Sequence, residues 1–335
     1  MAKGIMYVDN IRVEFDDEPT IMDVCRKAGV EMPNFCFHSD LSVYGACRMC
    51  MVEDLDTGKI DAACTTKPKN GMRIRTNTSR LLKYRRMILE LMLASHCRDC
   101  TACEKNRSCR LQEMAVRFGI HHVHFKDTRE HVPMDFSSPA VTFDLNKCIL
   151  CGDCVRVCKE VQGMSILHFA GRGPGLHIEA GDDQPISTTH CVSCGQCAAV
   201  CTTGAITVKN DIGAAWRALH DPQKRVVIQI APAVRVAIGE AYGLPAGENV
   251  LDKLVTALKI MGADEIYDTI FGADLTVREE SKEFLRRLET GENLPLMTSC
   301  CPSWVRYVEQ ERPQFIKNLS SALSPMQMFA TVLKD

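Results

Sequence analysis

The stretches CILCGDCVRVC (148–158) and CVSCGQCAAVC (191–201) decide how this chain is read. Each spaces four cysteines as C-x2-C-x2-C-x3-C. Thiolates are soft ligands that suit iron–sulfur clusters, and short spacings let one loop deliver three of them to one cluster. In a paired arrangement of this kind the fourth cysteine of each run serves the other cluster. One 4Fe–4S cluster is therefore expected on Cys148, Cys151, Cys154 and Cys201. A second is expected on Cys191, Cys194, Cys197 and Cys158. The proline usual after the fourth cysteine is replaced by Lys159 and Thr202, which removes no ligand.

Upstream, His96, Cys100, Cys103 and Cys109 are spaced H-x3-C-x2-C-x5-C. Three cysteines at cluster spacing lack a fourth, and His96 is the nearest candidate, with Cys97 competing for the iron. Imidazole in place of thiolate lowers the negative charge of a 4Fe–4S cluster and raises its potential. Further upstream, Cys36, Cys47, Cys50 and Cys64 follow a β-rich segment, with Gly45 where the loop wraps closely. That set fits a 2Fe–2S cluster. Zinc is the alternative, but a zinc ribbon more often shows two CxxC pairs and this set has one. Fifteen of the 19 cysteines, with His96, thus account for one 2Fe–2S and three 4Fe–4S clusters. Of the others, Cys25 reads as a buried core cysteine, and Cys97, Cys300 and Cys301 are left over. His121, His122, His124 and His131 lack cysteine neighbours and read as solvated surface.

A chain of 335 residues carries a prior of two or more domains. A net charge of −2 gives no reason to expect nucleic acid. No apolar run reaches the roughly 18 residues a membrane helix needs, and MAKGIMYVDN lacks a signal-peptide core. The expected location is the cytoplasm. There, clustered cysteines read as metal or redox sites, not as a disulfide framework or as scattered core residues.

Residues 4–15 alternate like a strand pair turning at Asp9–Asn10, and IMDVCRKAGV reads as a helix closed near Gly29. Residues 79–94 have helical periodicity with Ser79 as N-cap. Charge, prolines and Ser137–Ser138 place a linker at 126–140. After Asp221–Pro222, RVVIQI (225–230), EIYDTI (265–270) and LPLMTSC (294–300) read as strands. NVLDKLVTALKIMG (249–262) and DLTVREESKEFLRRLETG (274–291) read as helices, so a parallel sheet with helices on its faces is expected. GRGPG (171–175) reads as a turn. With no GxGxxG, no dinucleotide site is expected in this chain, and no motif suggests flavin.

The order of the cysteine groups resembles the N-terminal part of FeFe hydrogenases, and the first two groups are similar to the large iron–sulfur subunit of respiratory complex I. IAPAVRVAIGE (230–240), FGADLTVREESKEF (271–284) and TSCCPSW (298–304) resemble FeFe-hydrogenase catalytic segments. The resemblance implies an α/β multidomain chain. Its parts would be a ubiquitin-like β-grasp 2Fe–2S domain at 1–78 and a small helical His-ligated 4Fe–4S domain at 79–125. A two-cluster ferredoxin domain at 138–210 and a partial parallel α/β hydrogenase-like lobe at 222–335 would follow. It also implies that Cys301 binds the cubane of the H-cluster and that Cys300 relays protons through Glu280, Ser320 and Glu283 to Arg287. The bland reading of Glu280, Glu283 and Arg287 is an exposed helix face with ordinary i,i+4 pairing.

A catalytic domain of that family runs beyond residue 335 and supplies three more ligands, whereas a cubane needs four. Leu323 and Met326 also stand where the family commonly has lysine and glutamine, and TVLKD reads as a finished helix end. The expectation is that the chain as it stands assembles no H-cluster, with Cys301 an incomplete site and Cys300, Glu280, Glu283 and Ser320 remnants. A half lobe is expected to expose an apolar face, or to cover it with its tail or a partner.

A one-electron wire needs a two-electron converter. Expected partners are a flavin-containing (FMN or FAD) NAD(P)-binding subunit, a small 2Fe–2S subunit and ferredoxin. The leading expectation is a wiring subunit of a soluble complex exchanging electrons among NAD(H), NADP(H) and ferredoxin, of the electron-bifurcating transhydrogenase type. One alternative is a subunit or fragment of an NAD(P)-linked FeFe hydrogenase. Another, of a different class, is a non-catalytic iron–sulfur sensor or assembly protein.

Overall fold

Alternating apolar and polar residues in GIMYV and IRVEF form an antiparallel hairpin of β1 (Gly4–Val8) and β2 (Ile11–Phe15). Its turn residues Asp9 and Asn10 take φ values of 50° and 72°, left-handed geometry that short side chains accept and tight hairpins favour. The computed structural model describes residues 4–129, 131–182 and 184–334. They fall into two compact units, Met1–Lys209 and Asn210–Asp335.

In the first unit, α1 (Ile21–Lys27) follows the hairpin, then β3 (Met51–Asp54), β4 (Ile60–Ala62) and β5 (Arg73–Arg75). β5 runs parallel to β1 and antiparallel to β3, giving the order β2-β1-β5-β3-β4. Thr20 caps α1, its Oγ1 accepting from the Asp23 N–H at 3.4 Å. The helix buries Ile21, Met22, Val24 and Cys25 among Met6, Val8, Phe15 and Ile74. Burial pushes the Cys25 thiol up to about 12.

α2 (Ser79–Ala94) begins on the residue expected to cap it. Thr78 serves instead, its Oγ1 accepting from Leu81 N–H at 3.2 Å. Buried Arg85 donates to the carbonyls of Met49, Thr76 and Met51 at 2.9, 2.8 and 2.7 Å. It thereby ties α2 to the loop carrying Cys47 and Cys50. α3 (Arg110–Arg117) adds Leu111 and Met114 to a core shared with Phe35, Met49, Leu89 and Ile149. That core spans segments of all three cysteine groups.

The stretch 126–140, expected as a linker, is pinned. Asp135 exchanges both backbone hydrogen bonds with Phe143 at 2.9 and 3.0 Å. Its side chain accepts from Ile186 N–H at 3.0 Å, and Arg129 donates to Cys148 O at 2.7 Å. Glu130 lies outside the described residues. Then come β6 (Val141–Phe143), α4 (Asp153–Arg156), β7 (Leu167–Ala170), β8 (His177–Ala180), α5 (Gln196–Val200) and β9 (Ile206–Val208). β6 pairs with β9 and β7 with β8, both antiparallel.

The second unit opens with α6 (Ile212–Leu219), ahead of the 222 start read from composition. β10 (Val227–Ile230), α7 (Pro232–Ala241), α8 (Leu251–Ile260), β11 (Glu265–Asp268), α9 (Ile270–Thr290), α10 (Pro302–Glu311) and α11 (Pro325–Lys334) follow. β10 and β11 pair in parallel from Val227↔Glu265 to Ile230↔Asp268. EIYDTI does not stay extended, because Asp268 Oδ1 accepts from Ile270 N–H at 3.0 Å and starts α9.

The expected third strand, 294–300, does not form. Pro295 has no N–H to give a ladder, and Met297 spends its groups elsewhere. Its N–H donates to Asn318 O at 2.8 Å and its carbonyl accepts from Ser320 N–H at 2.7 Å. α9 and α11 pack closely at Gly272, where an added Cβ would lie 2.2 Å from Pro325 O. Large apolar side chains stay exposed on this unit, Tyr242 and Ile260 at 83% and 82%. Among the described residues no helix is long and apolar enough to cross a membrane.

Candidate iron–sulfur centres

Cys36, Cys47, Cys50 and Cys64 are all buried. They come from the loop between α1 and β3 and from the turn that follows β4, and they form two pairs. Cys47 N–H donates to Cys36 Sγ at 3.3 Å, and the Cys50 and Cys64 sulfurs lie 3.4 Å apart. Phe35 N–H donates to Cys47 Sγ at 3.4 Å. The hydrogen bond from Cys36 holds Cys47 down at about 7 and pushes Cys36 well up. The bond between Cys64 and Cys50 does the same, with Cys50 at about 7 and Cys64 pushed well up. Two pairs of crowded sulfurs, each with one acidic member, fit a group with two metal ions better than a single one. Gly45 sits at φ 69° with its missing side chain facing Thr65, whose Cγ2 would be 2.6 Å from a Cβ. Only glycine lets the loop wrap there.

His96 is buried, and its Nδ1 has no hydrogen-bond partner. Burial lowers its pKa, and the ring is bonded to the Lys147 backbone. A neutral imidazole with one nitrogen tied to the backbone and the other lone pair free has the form of a metal ligand. An iron at Nδ1 would meet an otherwise costly orphan atom. Cys109 is raised by burial, and the Cys103 and Cys100 thiols add to the shift. Cys97 N–H donates to Asn146 O at 3.1 Å, and the charged neighbours of its thiol are Lys147, Asp144 and Asp99. Lys147 lies beside both His96 and Cys103.

The two duplicated runs fold alike. Leu150 and Ser193 take φ values of 57° and 58°, and Gly152 and Gly195 take 76° and 74°. These left-handed turns aim amides at sulfur. Leu150 N–H donates to Cys148 Sγ and Ser193 N–H to Cys191 Sγ, each at 3.4 Å. Cys148, Cys151, Cys154 and Cys201 line one cavity together with Ile178 and Ile206. Cys197 has Cys191, Cys194 and Cys158 as its thiol neighbours. The fourth cysteine of each run is thus brought to the other run. Among the described residues no three cysteine sulfurs lie within 4.8 Å of one another. Tetrahedral zinc with Zn–S near 2.3 Å would hold its sulfurs about 3.8 Å apart.

Contacts between the groups were not legible as motifs. Arg156, between Cys154 and Cys158, is buried and donates to Cys36 O at 3.0 Å, to Ser42 O and to Asp153. Its guanidinium lies 5.7 Å from the Tyr44 ring centre, and Tyr44 stacks on Phe169. Gly204 touches the second group: an added Cβ would lie 2.7 Å from Cys103 Sγ. Gly204→Ala is expected to cost about 1–3 kcal/mol by overpacking and to shift the EPR signal of the second group. Denaturant midpoints and EPR of the reduced protein check this.

In the second unit, Cys300 and Cys301 are exposed, and Cys301 precedes α10. The helix face expected to be exposed is partly interior. Arg287 is buried and donates to the carbonyls of Asn293, Asn318 and Leu319 at 2.9, 3.2 and 2.8 Å. It pairs with Glu283 at 2.5 Å, the i,i+4 pair of the bland reading. Glu283 also accepts from Ser320 Oγ at 3.3 Å and Ser321 N–H at 2.9 Å. Glu280 Oε1 is buried with no hydrogen-bond partner.

Burial pushes the Glu283 pKa up, but hydrogen bonds from Ser321 and Arg287 outweigh it and leave the carboxyl below its ordinary value. A depressed carboxyl stabilises above its unfolded pKa, near 4.3, and that contribution is lost as pH falls through the folded value. Both tryptophans, Trp216 and Trp304, lie in this unit. Their fluorescence is expected to show an acid-side stability loss that Glu283→Gln removes.

Four family profiles tile the chain. Residues 5–79 match a 2Fe-2S iron-sulfur cluster binding domain and 85–124 an NADH-ubiquinone oxidoreductase-G iron-sulfur binding region. Residues 140–202 match a 4Fe-4S dicluster domain, and 224–335 the C-terminal domain of the iron only hydrogenase large subunit. The NADP-reducing hydrogenase subunit HndD of Solidesulfovibrio fructosivorans is 36% identical over 346 residues, covering 100% of this chain and 59% of that protein. The chain is thus similar to iron–sulfur domains of the NADH-ubiquinone oxidoreductase-G type followed by an iron only hydrogenase C-terminal domain. Iron hydrogenase 1 of Clostridium pasteurianum is 33% identical, covering 98% of this chain and 58% of that one. The chain thus spans just over half the length of these FeFe-hydrogenase-like relatives. A chain in a crystal structure of an NAD+-reducing [NiFe]-hydrogenase is 30% identical with a TM-score of 0.58, over 62% of this chain and 88% of that one.

Proposed function

We propose that this FeFe-hydrogenase-like chain is the electron-wiring subunit of a flavin-containing oxidoreductase complex exchanging electrons among NAD(H), NADP(H) and ferredoxin. The observation that carries the proposal is the packing of three cysteine groups into one unit around a shared core of Phe35, Met49, Leu89, Leu111 and Ile149. Clusters supply one-electron steps when bound. This chain's own residues hold them, shield them from water and direct amides at their sulfurs, which tunes potential.

The finer reading assigns one 2Fe–2S cluster to Cys36, Cys47, Cys50 and Cys64, with one iron per sulfur pair. It assigns 4Fe–4S clusters to His96 with Cys100, Cys103 and Cys109, and to the two crossed sets of the duplicated runs. The five-stranded sheet with α1 reads as a β-grasp. The module boundaries are 1–78, 79–125, 138–210 and 222–335. The two relatives named for NAD+ or NADP+ reduction support an NAD(P)-linked complex, and the reading takes its partners to be a flavin-containing NAD(P)-binding subunit, a small 2Fe–2S subunit and ferredoxin. Bifurcation is the most specific element of the proposal.

Affinity purification of the complex without oxygen tests the reading. A flavoprotein should co-purify, and NAD(P)H should reduce ferredoxin only when it is present. Hydrogen evolution from reduced dye, with carbonyl and cyanide infrared bands, would favour the hydrogenase alternative. Isolation of the chain alone, with no electron transfer, would favour a sensor or assembly role.

A further inference from the structure

We propose that Arg85 is a positioning residue whose buried charge raises the reduction potential of the 2Fe–2S group on Cys36, Cys47, Cys50 and Cys64. The inference rests on the assignment of that cluster to those four cysteines.

The guanidinium is enclosed. Arg85 is 3% exposed in the middle of α2. All three of its nitrogens donate to backbone carbonyls, Nε to Met49, Nη1 to Thr76 and Nη2 to Met51. Met49 and Met51 are the two chain neighbours of Cys50. The arginine therefore grips the peptide on either side of one candidate ligand and holds its charge against that ligand's backbone. The Cys50 carbonyl accepts from Ala63 N–H at 3.0 Å, the residue before Cys64.

Carbonyls solvate a cation without neutralising it. A buried charge is costly unless an opposite charge accompanies it. Among the described residues no carboxylate forms an ion pair with Arg85. The charged or titratable groups around it are Cys50, Arg117 and Asp9. Arg117 is exposed and of like charge. Asp9 stands one residue removed: its carboxylate accepts from Thr76 N–H at 2.8 Å and from the Thr76 hydroxyl, while Arg85 takes the Thr76 carbonyl. Burial lowers the Arg85 pKa to about 10, with Cys50 the strongest opposing influence, so the guanidinium keeps its proton at neutral pH.

The thiolate set supplies the missing counter-charge. Four thiolates around a 2Fe–2S core leave a net negative charge, and charge of that kind helps set the potential. Reduction adds one electron and no proton, so the negative charge grows by one. A fixed cation beside Cys50 stabilises the reduced form more than the oxidised form. All four cysteines are buried, so the local dielectric is low and salt screens the attraction little. A mere staple for three carbonyls would act through the shape of the loop, and its effect would not follow the charge.

The test uses the full chain, purified without oxygen and with its clusters loaded. The EPR signal of the reduced 2Fe–2S cluster is followed in a dithionite titration, at a temperature where 4Fe–4S signals are broadened away. Arg85→Gln, which removes the charge, should make this cluster about tenfold harder to reduce, a midpoint about 59 mV lower for one electron. Arg85→Lys, which keeps the charge and loses the planar fork, should stay within about threefold of the native protein. The 4Fe–4S midpoints should stay unchanged in both. If Arg85→Gln retains too little cluster, Arg85→Lys is titrated against pH beside the native protein. A buried ammonium loses its proton at a lowered pKa, so that midpoint should fall about tenfold relative to the native one between about pH 6 and 10. Three results would overturn the proposal: a native midpoint in Arg85→Gln, equal falls in Arg85→Gln and Arg85→Lys, or parallel pH curves. A native protein without a 2Fe–2S signal would instead overturn the cluster assignment, and the inference with it.

Discussion

Cys158→Ala should remove about four irons, and adding Cys194→Ala should remove no more. The two residues lie in different runs, so independent runs would each lose a cluster and about eight irons would go. The difference follows from where the fourth cysteines sit. Cys201 lines the same cavity as Cys148, Cys151 and Cys154. Cys158 neighbours Cys197, whose other thiol neighbours are Cys191 and Cys194. Both substitutions therefore strike one cluster. Alanine is used because serine can still ligate iron. Iron analysis of the single and double variants, with EPR of the reduced proteins, reads the result directly.

Arg156→Ala should destabilise the first unit by about 3–5 kcal/mol, the cost of breaking a buried charge pair from one side. The guanidinium holds the carbonyls of Cys36 and Ser42 against α4 and pairs with Asp153. Burial already pushes Asp153 up to about 6, with Arg156 opposing the shift. Without the arginine its carboxyl should rise further and take up a proton.

The sign of the pH dependence follows. A carboxyl raised in the folded state binds more protons there than in the unfolded chain, so its contribution falls as pH rises from about 4 through the folded pKa. The destabilisation should therefore be smaller near pH 5.5 than near pH 7.5. Arg156→Lys should recover only part, since an ammonium keeps the charge but cannot span two carbonyls and a carboxylate as the planar fork does. Urea unfolding followed by cluster absorbance measures both variants.

The cysteine groups were legible because cluster ligands are delivered by local loops, so spacing along the chain carries the information. Left-handed Leu150 and Ser193 show how those loops work, and no propensity would have singled out these non-glycine residues. Arg156 lies between two candidate ligands, yet a lone arginine carries no spacing signal. Its partners Cys36 and Ser42 are more than a hundred residues away. Gly204 is set by a tertiary approach to Cys103 in the same way.

The segment 294–300 has a strand-like composition, but Met297 pairs with 318–320 instead, and composition does not choose partners. Helical periodicity placed Glu283 and Arg287 on one face. It could not show that the turn at Pro313–Asn318 and the residues after it cover that face.

The most direct test is iron and acid-labile sulfide counting on the anaerobically purified chain, with EPR of the reduced protein. One 2Fe–2S and three 4Fe–4S clusters should give about 14 irons and about 14 sulfides. About 18 irons would mean that the region of Cys301 is occupied as well. Ten or fewer, or zinc in place of iron at Cys36, Cys47, Cys50 and Cys64, would contradict the four-cluster wire.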